Sequence, residues 1–192
     1  VIQEGLRWLN LPGKLSSSST VFIKPNLTFP VFRKGVMTSP ECVEALVVTL
    51  KDYTGRIIVG EADSGGYNRF SIDEVQQKTG LKNLEKKYGI RVVNLSRLPH
   101  RDIRVAAGSR DIAVPLPELL LDEADLVVSV AVPKIHMNTR VSMTVKNLWG
   151  CIPEPAVRLR IHPFLDQVLF EVTRHLKQTL AVVDGRYGLN RS

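Results

Sequence analysis

The sequence has few of the features that assign a protein to a class directly. It contains only two cysteines, Cys42 and Cys151, which are far apart and match no metal or cluster spacing, so we expect reduced thiols and a cytoplasmic location. No apolar run approaches the roughly 20 residues needed to cross a bilayer, and no membrane partner is expected. The chain starts at Val1 without a Met or a basic signal region, so we expect a segment of a longer protein.

Concentrated positive charge is also missing, although the net charge is +7 and the isoelectric point is near 9.6. Such basicity permits an acidic partner, namely nucleic acid, a phosphorylated small molecule or an acidic protein. However, Lys and Arg are spread along the chain, without the interleaved aromatic residues typical of single-strand binding. A solvated surface therefore explains the basicity better than a nucleic-acid-binding face.

What the sequence does contain is an alternation of apolar strands and amphipathic helices. Strands are predicted at residues 20–24, 56–60, 90–95, 124–132 and 179–183. Because these strands are continuous runs rich in Val, Ile and Leu, they are typical of a parallel sheet that is buried on both faces. The prediction is a single α/β domain over residues 1–192, with a mainly parallel sheet and helices on both faces, in a three-layer arrangement of the doubly wound type.

Capping residues mark where the helices begin. Ser39 followed by Pro40 is typical of an N-cap and a first helical position, and Ser71 starts a capping-box pattern. Pro163 is predicted to begin a later helix. Weaker patterns predict short edge strands at residue 105 and at 112–114, and a short helix at 116–122.

Polar side chains follow the ends of four predicted strands. In open α/β sheets, ligands bind outside the carboxyl ends of the strands, near a switch in strand order. We therefore expect these groups to converge on one cleft. The residues at the strand ends are Lys24 and Asn26, Glu61 and Asp63, Lys134 and His136, and Asp184.

The stretch from Val132 to Gly150 carries the richest chemistry. Lys134 and His136 are two residues apart and share one face if the segment is extended. Lys146 and Asn147 follow among small and apolar residues, and a partly buried lysine needs an anionic partner or a task. We predict Lys134, His136 and Lys146 as catalytic residues. The imidazole is open to three roles: general acid or base, metal ligand, or hydrogen-bonding brace.

The remaining candidates would bind and orient a ligand. Lys24 would supply charge, while Asn26 and Asn147 would supply hydrogen bonds. Arg158 and His162 stand before the Pro163 helix, whose first amides attract anions, although two surface side chains and an N-cap substitute explain the pair as well.

A divalent metal is a further prediction for this cleft. Glu61 stands in a glycine-containing turn at 60–66, and Asp184 precedes a glycine at the end of the last strand. Carboxylates in such positions suit a hard cation, and they could instead position the lysines of the cleft. An ordinary turn explains both segments equally simply.

Eight short motifs occur in order along nearly the whole chain. They are Lys24-Pro25-Asn26, Thr38-Ser39-Pro40, Gly60-Glu61, Ala124-Asp125, Pro133-Lys134 with His136, the string at 144–150, Arg158 with His162, and Asp184-Gly185. Together they resemble the family catalogued as domain of unknown function 362. The Lys-Asn-Leu-Trp-Gly string at 146–150 is the most specific of them.

The resemblance implies a family without an established activity. Relatives are often fused to ferredoxin-type iron–sulfur modules, which implies redox or cofactor-linked work and such a module as a partner. This sequence has no CxxCxxC run, so we expect no cluster within the segment itself. Relatives often carry a second lysine where only Ile135 separates Lys134 from His136, and the family region normally continues past the last strand.

Three functional hypotheses follow. In the first, the domain binds an anionic small molecule or organic cofactor at the carboxyl edge of its sheet, as part of an enzyme. In the second, it is a non-catalytic binding module for an electron-transfer protein or nucleic acid. In the third, the polar stretch is purely structural.

Overall fold

The computed structural model describes residues 1–65, 68, 70–136, 139–177 and 179–189. Gly66 of the predicted turn, and residues 137 and 138 of the predicted polar stretch, lie outside the described residues. The strands are β1 (Thr20–Lys24), β2 (Arg56–Glu61), β3 (Arg91–Asn94), β4 (His100–Ala107), β5 (Arg110–Pro117), β6 (Leu126–Ala131), β7 (Lys134–His136), β8 (Arg140–Ser142) and β9 (Thr179–Val183). The helices are α1 (Ile2–Trp8), α2 (Pro40–Leu50), α3 (Ile72–Lys78), α4 (Asn83–Tyr88), α5 (Thr144–Asn147), α6 (Pro155–Ile161) and α7 (Leu165–His175).

The central sheet has five parallel strands in the order β3-β2-β1-β6-β9. From β1 the chain runs outward through β2 to β3, and then crosses back to β6 on the other side of β1. The strand order therefore reverses between β1 and β6, and a crevice opens beyond the carboxyl ends of these two strands. The prediction of an α/β fold with a mainly parallel sheet is confirmed.

Two apolar cores cover the two faces of the sheet. Successive residues of β1 alternate between them, because side chains of a strand point to opposite faces: Phe22 lies in one core, and Val21 and Ile23 in the other. The core around Val21 is closed by α1 to α4. The core around Phe22 is closed by α6, α7 and the β4–β5 hairpin. The fold is therefore three-layered, with a hairpin completing the second outer layer.

The β4–β5 hairpin is much longer than the short edge strands predicted there. Each strand has eight residues, and they pair antiparallel from His100–Pro117 to Ala107–Arg110 around Gly108, whose φ is +64°. Charged residues on the solvent side of the hairpin interrupt the apolar pattern in the sequence, so that pattern predicts only short strands. On the inner side, Val105 and Val114 are fully buried. The helix predicted at 116–122 was wrong at its start, because β5 continues to Pro117 before one π-helical turn at Leu119–Glu123.

The helix starts predicted from capping residues are largely confirmed. The Ser39 hydroxyl accepts a hydrogen bond from the Cys42 amide at 3.3 Å, and Pro40 begins α2. Ser71 caps α3 in the same way. Pro163 instead lies within a 3₁₀ turn at His162–Phe164, and α7 begins two residues later. Among the described residues, no helix has both the length and the apolar content needed to cross a bilayer.

Candidate functional site

A cavity of about 860 Å³ opens at the carboxyl ends of β1 and β2, beside the switch in strand order. The β7–β8 hairpin and the segments around α5 and α6 form its other walls. All the predicted site residues except Asp184 line it. These are Lys24, Asn26, Glu61, Lys134, His136, Lys146, Asn147, Arg158 and His162.

A buried ion pair forms the floor of this cavity. Lys24 Nζ lies 2.6 Å from Glu61 Oε2, and the two side chains are only 1% and 7% exposed. The same ammonium also donates to the Pro25 carbonyl at 3.0 Å and to Asn147 Oδ1 at 3.2 Å. All three of its protons are therefore engaged within the protein. Asn147 completes the network by donating through Nδ2 to the Lys24 carbonyl at 3.0 Å.

Gly150 allows the backbone to lie directly against this ion pair. A Cβ atom at this position would overlap Glu61 Oε1 and would lie 2.9 Å from Lys24 Nζ. Any side chain there would have to displace one member of the pair. The glycine at the end of the Lys-Asn-Leu-Trp-Gly string therefore has a steric reason.

Lys134 stands above the floor and is held by neutral acceptors. Its Nζ donates to Asn26 Oδ1 at 3.0 Å and to the Val36 carbonyl at 2.9 Å. Burial, together with the positive charge of Lys24, lowers the pKa of Lys134 to about 8, and only Glu61 opposes that shift. The ammonium is thus desolvated without a carboxylate of its own.

Lys146 is the least constrained of the cleft amines. It lies in the last turn of α5, with Nζ 5.6 Å from the centre of the Trp149 ring. Within the described part of the chain, its amine makes no hydrogen bond and no ion pair. Burial lowers the pKa of Lys146 to about 8, and the charges of Lys24 and Arg158 add to the effect.

Two histidines face the same cavity. Burial lowers the pKa of His136, and the neighbouring charge of Lys146 adds to this effect, so the imidazole is neutral at pH 7. The Thr139 amide donates a long hydrogen bond of 3.4 Å to His136 Nδ1. His162 contacts the edge of Trp149, with ring centres 5.7 Å apart.

Arg158 lies in α6, a helix that was not predicted from the sequence, and its side chain lines the cavity. Its guanidinium donates to the Asp63 carbonyl, and burial lowers its pKa. The carboxylate of Asp63 is itself engaged by the Ile72 amide at 2.8 Å and by Asn94 Nδ2 at 3.0 Å. Asp63 therefore caps α3 and does not neutralise the cavity.

The structure does not bring Asp184 to this cleft. Its Oδ2 accepts hydrogen bonds from the Ser39 amide at 3.0 Å and from the Ser39 hydroxyl at 2.6 Å, and Arg186 Nε lies 3.3 Å from its Oδ1. These bonds, with Arg186, lower its pKa despite burial. Glu61 is likewise paired with Lys24. Among the described residues, no group of three or more His, Cys, Asp or Glu side chains gathers around a point that would hold a metal.

Several cleft residues were not predicted as site residues. The sequence marks Trp149 and Gly150 only as the end of the polar stretch and of the Lys-Asn-Leu-Trp-Gly string, and Ser142 lies in β8 of the small hairpin. Leu189 reaches the rim because its backbone pairs with β7, where the Ile135 amide donates to its carbonyl at 3.0 Å. For Leu189 the sequence carries no signal, since the contact depends on how the chain returns after β9.

Comparisons with known proteins place the chain in a family. A crystal structure of a protein from Thermotoga maritima is similar, with a TM-score of 0.49, 16% identity, and coverage of 95% of this chain and 50% of that chain. This chain therefore spans about half the length of that protein. Comparison with curated proteins gives no match. The family described as Domain of unknown function (DUF362) matches residues 21–192, and the chain therefore belongs to the DUF362 family.

Proposed function

We propose that this domain binds an anionic small molecule or organic cofactor in the cleft at the carboxyl edge of its sheet, and that it does so as part of an enzyme. The observation that carries the proposal is the charge of the cavity wall. Among the described residues that line the cavity, one side chain is a carboxylate, Glu61, and four are cationic: Lys24, Lys134, Lys146 and Arg158. Because Glu61 is paired with Lys24, the other three cations have no carboxylate of their own among the cavity residues that the structure describes.

The lowered pKa values support the same proposal. Lys134 and Lys146 both titrate at about 8, which is the behaviour of amines that have lost water and gained no counter-charge. An anion that entered the cavity would supply that counter-charge. Amines with lowered pKa values also indicate a functional site, because groups with perturbed pKa values concentrate where ligands bind.

Each side chain has a distinct part in this proposal. Lys134, Lys146 and Arg158 hold the anion, and Arg158 is suited to a two-point contact with a carboxylate or phosphate. Asn26 fixes the position of Lys134 through its 3.0 Å hydrogen bond. His136, neutral at pH 7, accepts and returns a proton during the reaction.

Binding of simple polyanions tests the proposal. Inorganic pyrophosphate and citrate would be titrated into the protein by calorimetry, with Lys134→Met and Lys146→Met as variants and Lys86→Met, an exposed lysine, as the control. Each cleft variant should weaken binding about tenfold to a hundredfold, since a hydrogen bond to a charged group contributes about 1.5–3 kcal/mol. Unchanged affinity of every bound anion in both cleft variants would refute the proposal.

A second candidate is a docking module for an electron-transfer protein or nucleic acid. Apolar side chains beside the cavity favour a protein partner: Ile135 and Val141 are opposite each other on the β7–β8 hairpin and are 52% and 56% exposed. The net charge of +7 favours an acidic one. This candidate predicts association that weakens steeply with salt and does not change in the cleft variants.

The compartment is part of the proposal. Cys42 and Cys151 are both free thiols, and burial raises the pKa of Cys151 to about 12, which makes that thiol inert. We propose a reducing, cytoplasmic setting on this basis.

A further inference from the structure

We propose that Lys146 is a nucleophilic amine that forms an imine with a carbonyl compound bearing a carboxylate or phosphate group. The inference rests on the proposed function, because the anionic group of the substrate would be held by the neighbouring cations. It goes further by assigning a reaction type and a substrate class to the cleft.

The three cleft lysines differ in how firmly their amines are held. Lys24 donates to three acceptors, one of them the Glu61 carboxylate, and its side chain is only 1% exposed. Lys134 is held by Asn26 and by the Val36 carbonyl. Lys146 has neither kind of restraint among the described residues, so its lone pair is the one available for attack.

The surroundings of Lys146 favour attack by its amine. Its stem leads from α5 into the cavity, where the Trp149 ring lies beside the amine at 5.6 Å. Lysines are activated as nucleophiles by desolvation in an apolar pocket and by a second cation nearby. Burial beside the Trp149 ring meets the first condition, and the charges of Lys24 and Arg158 meet the second.

Imine formation at Lys146 balances in atoms and electrons. The neutral amine attacks the carbonyl carbon, a C–N bond forms, and one of the two N–H protons moves to the carbonyl oxygen, which becomes a hydroxyl. The nitrogen then loses its proton and the hydroxyl leaves as water, so that amine and carbonyl yield imine and water without any oxidant or reductant. His136 lines the same cavity, and it carries each proton from the nitrogen to the oxygen.

The reactivity expected of this amine is large. At pH 7, an amine with a pKa of about 8 is deprotonated about 300-fold more often than one at the usual lysine value of 10.5. Part of that gain is lost because a less basic amine is a weaker nucleophile. An enrichment of at least about tenfold over an exposed lysine remains the expected result.

Reductive trapping with glyoxylate tests the inference. The full chain would be treated at pH 7 with glyoxylate and cyanoborohydride, and carboxymethylated lysines would be mapped by mass spectrometry. Lys146 should carry at least about ten times more adduct than exposed Lys86. Pyrophosphate should protect it. Propanal, an aldehyde without a charge, should label Lys146 much less than glyoxylate does.

Matched variants separate the possible results. Lys146→Met should lose the dominant adduct, while Lys86→Met should keep it. Adduct that is equal at Lys146 and Lys86, or that is concentrated on Lys134, would overturn the inference, and equal labelling by propanal would overturn the substrate class. If pyrophosphate binds by calorimetry and Lys146 still carries no excess adduct, the imine is refuted and the proposed function survives. If no anion binds, the proposed function itself fails.

Discussion

Replacing Lys146 with methionine should make the ligand-free domain more stable, even though it removes an amine to which we assign a role in ligand binding. Methionine keeps the length and apolar character of the lysine stem. The substitution therefore removes a buried charge and little packing. Stability and binding should change in opposite directions at this one position.

The magnitude follows from the titration of the amine. Burial lowers the pKa of Lys146 from its usual 10.5 to about 8, and at about 1.4 kcal/mol per unit this corresponds to about 3 kcal/mol for keeping the ammonium charged at pH 7. The Lys146 side chain retains some exposure to water, which reduces this cost. A cation–π contact with Trp149 stabilises the ammonium by about 0.5–1 kcal/mol, and the variant loses that contact. We therefore expect a net gain of about 1–2 kcal/mol.

The pH dependence gives the prediction its sign. Above pH 8 the folded wild-type amine is neutral, while the unfolded amine stays charged up to about pH 10.5. Wild-type stability therefore rises through this window, since the unfolded state binds more protons there. The advantage of Lys146→Met should shrink toward zero between pH 8 and pH 10.5.

Urea denaturation of the wild type and the variant at pH 7 and pH 10 measures both effects. Lys86→Met, at an exposed position, is the control and should lie within about 0.5 kcal/mol of the wild type. A variant that is less stable than the wild type at pH 7, or an advantage that does not depend on pH, would refute the reasoning.

Four other perturbations test the site and its surroundings. Lys24→Met should destabilise the fold by about 3–5 kcal/mol in the same assay, because it leaves the buried Glu61 carboxylate without its partner; a loss below 1 kcal/mol would contradict a buried ion pair. Gly150→Ala should cost about 1–3 kcal/mol through overlap with that pair, whereas Gly55→Ala, where nothing lies within 4 Å, should be nearly neutral. Anion affinity should be flat below pH 8 and should fall above it by up to about tenfold per pH unit for each of Lys134 and Lys146, because each amine must then take up a proton to bind the anion. Calorimetry in buffers of different ionisation heat would detect that proton uptake. An affinity that stays constant up to pH 10 would exclude it. Asp184→Ala should cost about 1–2 kcal/mol by removing an acceptor at the start of α2 and should leave anion affinity unchanged, so a loss of binding would place this residue in the site after all.

The parallel sheet could be predicted because each of its strands is a short continuous apolar run. β1 and β9 have the predicted bounds, and β2, β3 and β6 differ by a few residues at their ends. The β4–β5 hairpin could not be predicted in full, since its solvent-facing arginines and aspartates interrupt the apolar pattern. Its role in the core depends on packing against α7, which no local signal carries.

The cleft could be predicted because the carboxyl ends of parallel strands share one edge of a sheet. The same rule was too broad for Asp184. β9 stands at the edge of the sheet, one strand beyond β6, and its end meets the start of α2 instead of the crevice. The sequence left open whether Glu61 binds a metal or positions a lysine, because the choice between a metal ligand and an ion-pair partner depends on a distance.

The floor of the cleft also ties its formation to the order in which the chain folds. Lys24 bonds to Glu61 over 37 residues and to Asn147 over 123 residues. A nascent chain that ends after β2 can form the first bond and not the second, and the long separation makes the second slow to close. An anion that bound only the finished cleft would therefore favour the complete sheet over every partly assembled form, and its apparent affinity would report the fraction of chains in which the domain has folded.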